Sequence, residues 1–462
     1  MDFNRILNQE AEIYRRRRPN SEKFFKHTSR RLIEGGSHTL RLFRPFPFYD
    51  QECRGAWVKD IDGHTYIDFW QGHFGNVLGH NPPVVIEALQ ENLRRGQGLN
   101  TGFPGLYQEK LAGLLAERAG FEKIRFTTSG TLSSMYAIML ARSFTGRSRI
   151  LKVGGGWHGS QPYALKGIKS FISGLDHMES AGLSADSEAD TIMTRFNDQE
   201  DLKEKFDRFG ESIACLIVEP FIGSGGFIFG DKPYIQTARK LTDKHGALLI
   251  LDEVISGFRF HAGALQSLYQ VKGDLTVLGK TIGGGMPVSA VAGRSEIMEL
   301  CRNGFNPLKK VKCEGGTFSA HPSAMLAGYT FIKYLIDNEK SVYSHIGRLG
   351  TMAREGIERI FHSHGFRVKC SGDNKGVVPH SSVAGVHFLK KDLKRISSPE
   401  DVWDPKINDF QARESVFKLA MLNEGFNVFH GFGAVSSAHT HSHITSFLEA
   451  VERVAARWRK FL

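Results

Sequence analysis

Cysteine is scarce in this chain, and the few thiols are widely separated. The 462 residues contain five cysteines with no CxxC pair, namely Cys53, Cys215, Cys301, Cys313 and Cys370. An odd number of scattered thiols has neither the pairing of a disulfide framework nor the spacing of a zinc site. The alternating histidines of His439-Thr440-His441-Ser442-His443 have no acidic or cysteine partner nearby. We therefore expect reduced thiols and no bound metal.

Long hydrophobic runs are also missing, as is an apolar leader. The longest apolar stretches have the length of a buried strand, whereas a helix that crosses a bilayer needs roughly 20 apolar residues. The first residues, Met1-Asp2-Phe3-Asn4-Arg5, are polar and do not form the apolar region of a signal peptide. The sequence therefore predicts a cytoplasmic protein without a membrane partner.

The chain has fewer acidic than basic residues. It contains 49 Asp and Glu and 60 Lys and Arg, which gives a net charge of +11. The run Arg15-Arg16-Arg17-Arg18 could bind a nucleic-acid backbone, but a solvated helix end stopped by Pro19 is the simpler interpretation. We therefore expect no nucleic-acid partner. A basic protein also favours small anionic ligands.

Short apolar runs alternate with amphipathic stretches through the middle of the chain. Strand-like runs fall at 149–153, 213–219 and 247–254. Helical periodicity marks 83–95, 106–119, 131–144 and 233–245. This alternation predicts an α/β fold with a mainly parallel, doubly wound sheet. We assign the large domain to residues 83–337.

The flanking segments predict a smaller α+β domain. A hairpin with an Asp62-Gly63 turn spans residues 57–69, where apolar positions alternate on both sides of the turn. The C-terminal segment predicts helices at 348–364, 411–423 and 443–460 and strands near 366–370 and 383–388. We assign the smaller domain to residues 1–82 and 338–462 together.

The chemistry of the chain centres on Lys280. It follows a short apolar run and precedes Gly283-Gly284-Gly285, where the backbone can approach a flat ligand closely. Burial disfavours the charged form of an amine, and a neutral amine can attack an aldehyde to form a Schiff base. Lys280 is therefore our candidate nucleophile.

Two strand ends add an acid and an anion site. Asp252 ends the apolar run Leu248–Leu251, where ligands of open α/β sheets bind. The strand 124–128 breaks at Ser129-Gly130-Thr131 and opens a helix. The free N–H groups and the dipole at such a helix start suit a phosphate. A phosphate cradle, an acid and a lysine together describe a site for pyridoxal 5′-phosphate (PLP).

These motifs, in this order, resemble the class III aminotransferases of PLP fold type I, most closely the branch that contains glutamate-1-semialdehyde 2,1-aminomutase. The resemblance spans roughly residues 30 to 455. It implies that Lys280 holds PLP and moves a proton, and that Asp252 faces the ring nitrogen. It also implies that Ser129, Gly130 and Thr131 bind the phosphate, although the family's Asn-Ser-Gly-Thr-Glu reads Thr128-Ser129-Gly130-Thr131-Leu132 here.

Further site residues follow from the resemblance. Trp157, followed by His158, stands where the family stacks an aromatic ring on the cofactor, and Val254 would pack on the opposite face. Asn197 matches a turn whose amide lies near the cofactor, and Glu219 is interpreted as an orienting carboxylate. Thr317, in Gly315-Gly316-Thr317-Phe318, matches a threonine that reaches the phosphate of the neighbouring subunit. The resemblance therefore implies a homodimer.

The substrate side departs from the aminomutases. Arg41, which spacing favours over Arg44, could receive a substrate carboxylate, and His73 could contact substrate. The aminomutases generally have Ser-Trp where this chain has Gly72-His73, and a glutamate where it has Gly431. We therefore predict an aminotransferase that uses an amino acid or amine donor and a keto or aldehyde acceptor. An intramolecular aminomutase remains the alternative, and an amino-acid racemase is a third possibility.

Overall fold

The computed structural model describes residues 3–169, 175–374 and 376–461. Its centre is a seven-stranded sheet in the order β4-β12-β11-β10-β7-β5-β6. The strands are β4 (Lys123–Thr127), β5 (Arg149–Val153), β6 (Thr191–Thr194), β7 (Ile213–Val218), β10 (Leu248–Glu253), β11 (Leu275–Leu278) and β12 (Ser289–Gly293). Strand β12 runs antiparallel to both of its neighbours, β4 and β11, and the pairs from β11 to β6 are parallel. The predicted α/β class is therefore confirmed.

Helices of the same segment pack against this sheet and against one another. They are α3 (Pro83–Arg94), α4 (Leu106–Ala119), α5 (Gly130–Thr145), α6 (Ala185–Ala189), α7 (Gln199–Phe209), α8 (Lys232–His245), α9 (Gln266–Tyr269), α10 (Ser295–Met298) and α11 (Pro322–Asp337). The central strands β7 and β10 are buried along their whole length, as expected of a sheet covered on both faces. Strands β6 and β12 were not predicted, because one is short and the other consists mostly of small residues.

The two ends of the chain share one sheet. Strands β1 (Asp50–Arg54), β2 (Trp57–Asp60) and β3 (Thr65–Asp68) form the predicted hairpin with one additional strand, and β15 (Phe426–Asn427) pairs parallel to β3. A second small sheet contains β13 (Val368–Ser371), β14 (Val383–Phe388) and β16 (Gly433–Ala434). Strands β8 (Phe221–Ile222) and β9 (Ile228–Phe229) form a separate two-stranded sheet. The domain boundaries drawn above remain a prediction.

The C-terminal helices are α12 (Glu339–Ser363), α13 (Pro399–Trp403), a π-helical turn (Ala412–Phe417) that continues into α14 (Lys418–Asn423), and α15 (His441–Trp458). Helix α12 begins nine residues before the predicted start at 348. The part that was not predicted contains Gly347, where a Cβ would lie 2.5 Å from the His380 carbonyl oxygen. Glycine lowers the helix propensity of a sequence, but at this position it allows the helix to approach a neighbouring backbone closely. Among the described helices, none has the length and apolarity needed to span a bilayer.

The N-terminal arginine run is only partly solvated. Helix α1 (Phe3–Arg17) ends there and α2 (Pro19–Thr28) begins at the proline. Arg15, Arg16 and Arg17 are exposed as expected, but Arg18 is buried. The interpretation of the whole run as a solvated helix end is therefore wrong at Arg18, because its guanidinium bonds to Tyr66 and to the end of α14.

Candidate active site

A cavity of about 260 Å³ lies at the carboxyl edge of the central sheet. Every predicted cofactor residue except Asn197 and Thr317 lines it, namely Ser129, Gly130, Thr131, Trp157, His158, Glu219, Asp252, Val254 and Lys280. These residues come from the ends of different strands, which meet at one edge because the strands run parallel. The sheet therefore brings together residues up to 151 positions apart, from 129 to 280.

Lys280 follows β11 and opens a single 3₁₀ turn, Lys280–Gly283. Its φ is +45°, a left-handed conformation that costs free energy for a residue with a side chain. Burial lowers the pKa of its amine, and the Glu219 and Asp252 carboxylates oppose this shift. The lysine therefore gives up its proton more readily than an exposed one, as a nucleophilic amine requires.

Of the two acids that end β10, the structure directs Asp252 to the cavity. Its neighbour Glu253 points to the other face of the strand, where it accepts hydrogen bonds from the Gln266 N–H (2.8 Å) and the Ser256 hydroxyl (3.0 Å). Burial raises the pKa of Glu253 to about 7. Glu253 thus orders the following turn, and Asp252 is the carboxylate available to a ligand.

His158 orients Asp252. Its Nδ1–H donates to Asp252 Oδ2 at 2.7 Å, and the Val254 N–H donates to Oδ1 at 3.1 Å. Burial lowers the pKa of His158, so the ring is a neutral donor. Its Nε2 is buried and has no hydrogen-bond partner among the described residues. The sequence grouped His158 with the cofactor residues, and the structure adds its contact with Asp252, 94 positions away.

Glu219 holds the segment that carries Trp157. Its carboxylate accepts hydrogen bonds from the Trp157 N–H at 2.8 Å and from the Gly223 N–H at 3.4 Å. Burial and the nearby Asp252 raise its pKa. The Trp157 side chain remains 39% exposed, so its ring is accessible at the cavity mouth. This geometry agrees with an orienting role for Glu219.

Helix α5 points its N-terminus into the same cavity. The Ser129 hydroxyl caps the helix by accepting a hydrogen bond from the Leu132 N–H at 3.3 Å. The amides of the first turn, at Gly130 and Thr131, have no intrahelical acceptor in an α-helix. A Cβ at Gly130 would lie 3.2 Å from Val254, so glycine allows the helix start to approach β10 closely. This arrangement suits an anion.

Asn197 and Thr317 lie elsewhere. The Asn197 amide donates to the carbonyls of Phe229 (3.1 Å) and Ser397 (2.9 Å), and its oxygen accepts from the Asp231 N–H at 2.7 Å. Asn197 therefore joins three loops within the described chain. Thr317 lies on an exposed loop, where its carbonyl accepts a hydrogen bond from Asn100 at 3.3 Å.

A second cavity, of about 350 Å³, adjoins the first at Lys280 and Met286. Arg41 and His73, the two predicted substrate residues, both line it. The loop that carries His73 lies against the lysine, because a Cβ at Gly75 would be 3.3 Å from the Lys280 backbone. The sequence did not single out Asp68, which organises this loop. A buried acid at the end of β3, just before a Gly/His segment, was the available signal.

Comparisons with known proteins agree with this geometry. Residues 43–373 match the family model described as Aminotransferase class-III. The chain belongs to this family. It is 33% identical over 437 residues to glutamate-1-semialdehyde 2,1-aminomutase of Methanothermobacter thermautotrophicus, covering 94% of this chain and 98% of that protein. A second curated relative, glutamate-1-semialdehyde 2,1-aminomutase 2 of Lysinibacillus sphaericus, is 34% identical over 443 residues, covering 93% and 96%.

A solved structure is similar over the whole class-III chain. The β-phenylalanine aminotransferase from Variovorax paradoxus aligns with a TM-score of 0.86 and 27% identity, covering 100% of this chain and 99% of that one. The fold is therefore PLP fold type I, and the enzyme is a PLP-dependent aminotransferase. The site fits the cofactor, because a lysine with a lowered pKa, a buried carboxylate with its histidine and a helix N-terminus converge on one cavity.

Proposed function

We propose that this class-III aminotransferase transfers an amino group between separate molecules, from a donor amino acid or amine to a keto or aldehyde acceptor. The observation that carries this proposal is the surroundings of Gly431. Its φ is +84°, and a Cβ there would lie 2.5 Å from the Cβ of Val386. No side chain fits without movement of β14. The glutamate expected of an aminomutase at this position is thus absent from the sequence and sterically disfavoured.

The residues of the cavity take distinct roles in this reaction. PLP, when bound, supplies an aldehyde that combines with amines and a ring that withdraws electrons. Lys280 Nζ would hold it and would serve as the base that takes and returns the proton at the substrate carbon. Asp252, oriented by His158, would bind the ring nitrogen, and the start of α5 would bind the phosphate. Trp157 and Val254 would enclose the ring and exclude water.

Isotope labelling tests the reaction type. With a ¹⁵N-labelled amino donor and an unlabelled keto acceptor, mass spectrometry should find the label in the amino product of the acceptor. The aminomutase relatives favour the second candidate, in which the amino group moves within one molecule. Efficient isomerisation of glutamate 1-semialdehyde without exchange of label between molecules would establish that candidate and refute intermolecular transfer.

The assignment of Lys280 has its own test. Borohydride reduces an imine irreversibly, so treatment of the PLP form should fix the cofactor to the peptide that contains Lys280. Lys152, a buried lysine on β5, is a suitable internal comparison because burial also lowers the pKa of this lysine, to about 8. Label on Lys152, or on any lysine other than Lys280, would refute the assignment.

Our proposal extends to a homodimer in which Thr317 acts across the interface. Large exposed apolar side chains occur beside Thr317 and in the segment that contains Asn100: Leu93, Leu99, Phe103, Leu106 and Phe318 are 53 to 82% exposed. Exposed apolar surface of this kind is typical of protein contacts. The hydrogen bond from Asn100 to the Thr317 carbonyl fixes the loop against the same surface. A second copy of the chain is the partner that we propose for it.

Complementation between variants tests the shared site. A Lys280→Ala chain mixed with a Thr317→Ala chain, under conditions that exchange subunits, should form heterodimers with one intact site. Activity should therefore rise on mixing. Heterodimers that form without recovering activity would show that Thr317 serves its own subunit or neither.

We also propose a cytoplasmic location, which the five free cysteines support.

A further inference from the structure

The loop at the second cavity has an unusual backbone. Four consecutive residues have positive φ, with values of 46° at Gln71, 58° at Gly72, 59° at His73 and 71° at Phe74. Only glycine adopts this conformation freely, so the other three residues are strained. Such strain persists only where the surrounding structure determines it, and it often marks functional positions.

Asp68 holds the strained loop in place. Its buried carboxylate accepts hydrogen bonds from the N–H groups of Trp70 (3.0 Å) and Gln71 (2.9 Å). The same carboxylate pairs with His80 Nε2 at 2.7 Å and accepts from the Asn427 amide at 2.7 Å. The loop is thus tied at its start, at its end and to β15. These hydrogen bonds fix the backbone of the loop and therefore the direction of the His73 side chain.

The His73 ring lies between two aromatic rings and an arginine. Trp70 and His38 pack against it edge-on, with centroids 4.5 Å and 4.7 Å away. Its Nε2 lies 3.2 Å from Arg41 Nε, which can only donate. His73 is therefore the acceptor, with its proton on Nδ1. Burial, together with the charges of His38, Arg41 and Lys280, lowers the pKa of His73 to about 3, so the ring stays neutral.

This contact uses only the Nε of the Arg41 guanidinium. The Arg41 side chain makes no other hydrogen bond within the described residues, so Nη1 and Nη2 are available to a ligand. Two such nitrogens bind a carboxylate in a fork. None of the described residues that line this cavity is acidic, and Val85, Ile86, Leu89 and Phe331 supply apolar walls. The cavity is therefore suited to a monocarboxylate with a short apolar chain.

We propose that His73 is a positioning residue that acts through Arg41. As a neutral acceptor, its Nε2 fixes the Nε side of the guanidinium so that Nη1 and Nη2 receive the carboxylate of the substrate. A carboxylate at position 73 would hold the arginine equally well but would cancel its charge, whereas neutral histidine preserves it. The inference rests on the proposed function and on the prediction from the sequence that Arg41 receives the substrate carboxylate.

Binding of a non-reactive probe tests this role apart from catalysis. Butanoate has the carboxylate and apolar chain but no amine, so the PLP form binds it without turnover. Calorimetry on the holoenzyme should show binding that Arg41→Ala abolishes. His73→Phe keeps a ring but loses the acceptor and should weaken butanoate about tenfold. His73→Gln keeps a neutral acceptor and should stay within about threefold of the native protein. Butanamide, the uncharged analogue, should bind weakly and equally in all variants.

The outcomes separate the alternatives. Equal weakening by Phe and Gln would show direct contact between His73 and the ligand, and unchanged binding in His73→Phe would show that Arg41 needs no positioning; either result overturns the proposal. Native protein that binds butanoate independently of Arg41, or fails to bind it, also overturns it. If His73→Phe does not fold, His73→Leu replaces it against the same Gln control. Conversion of the native enzyme by amino donors is measured separately, so failure of the proposed aminotransferase reaction is distinguishable from failure here.

Discussion

Replacing Arg18 by methionine should destabilise the enzyme strongly. The Arg18 guanidinium donates from Nε to Tyr66 Oη (2.7 Å), from Nη2 to the Leu422 carbonyl (2.9 Å) and from Nη1 to Asn423 Oδ1 (3.2 Å). Its Nε also lies 3.9 Å from Asp60 Oδ2, and both side chains are almost fully buried. Methionine fills a similar volume but leaves the Asp60 carboxylate without its arginine.

The expected loss of stability in Arg18→Met follows from the burial of this ion pair. Removing one partner of a buried ion pair typically costs about 3–5 kcal/mol, because the other charge stays desolvated. An unfolding entropy of about 2.1 cal/mol/K per residue gives roughly 1 kcal/mol/K for a chain of this length. Arg18→Met should therefore lower Tm by about 3–5 °C.

Arg16→Met is the matched control, because it removes the same charge from the same helix end at an exposed position. It should change the free energy of unfolding by no more than about 0.5 kcal/mol, which corresponds to a change in Tm of less than about 1 °C. Both holoenzyme variants are compared with the native protein by thermal unfolding at one protein concentration. Equal Tm values for the two variants would refute the reasoning and restore the interpretation of Arg18 as part of a solvated run.

Three further predictions concern the active site and its surroundings. His158→Phe should slow conversion of the PLP form by an amino donor about 10- to 100-fold in stopped-flow absorbance, because a hydrogen bond of about 1.5–3 kcal/mol to the Asp252 carboxylate is lost; an unchanged rate would exclude this role. His439 is buried, and burial lowers its pKa to about 3, so the unfolded chain binds a proton below about pH 6.5 that the native state does not bind. Stability should therefore fall by about 2 kcal/mol between pH 8 and pH 5 from this residue, and His439→Gln should remove that part of the pH dependence in denaturant unfolding; parallel pH profiles would contradict it. Gly431→Ala should lower the free energy of unfolding by at least about 1 kcal/mol in denaturant unfolding, because its φ is positive and the new Cβ meets Val386; an unchanged free energy of unfolding would show that β14 moves freely, and the steric argument against an aminomutase would then fail.

Much of this enzyme could be predicted from short stretches of sequence, because their chemistry is local. The apolar run before Asp252, the break at Ser129-Gly130-Thr131 and the glycines after Lys280 each define a strand end or a helix start. Parallel strands bring such ends to one edge of the sheet whatever the loops between them do. The large α/β fold and the residues that line the first cavity therefore followed from periodicity and resemblance.

The partners of these residues depend on contacts between distant segments, which no local pattern encodes. The pairing of His158 with Asp252 spans 94 positions, and that of Arg18 with Asn423 spans 405. A run of arginines indicates a solvated segment in sequence. Only the fold shows that Arg18 donates hydrogen bonds to a tyrosine, an asparagine and a backbone carbonyl. The sequence by itself determined which groups could carry out the chemistry. The tertiary structure decided which of them are buried, neutral or aligned, because burial and hydrogen bonding are properties of the surroundings of a side chain.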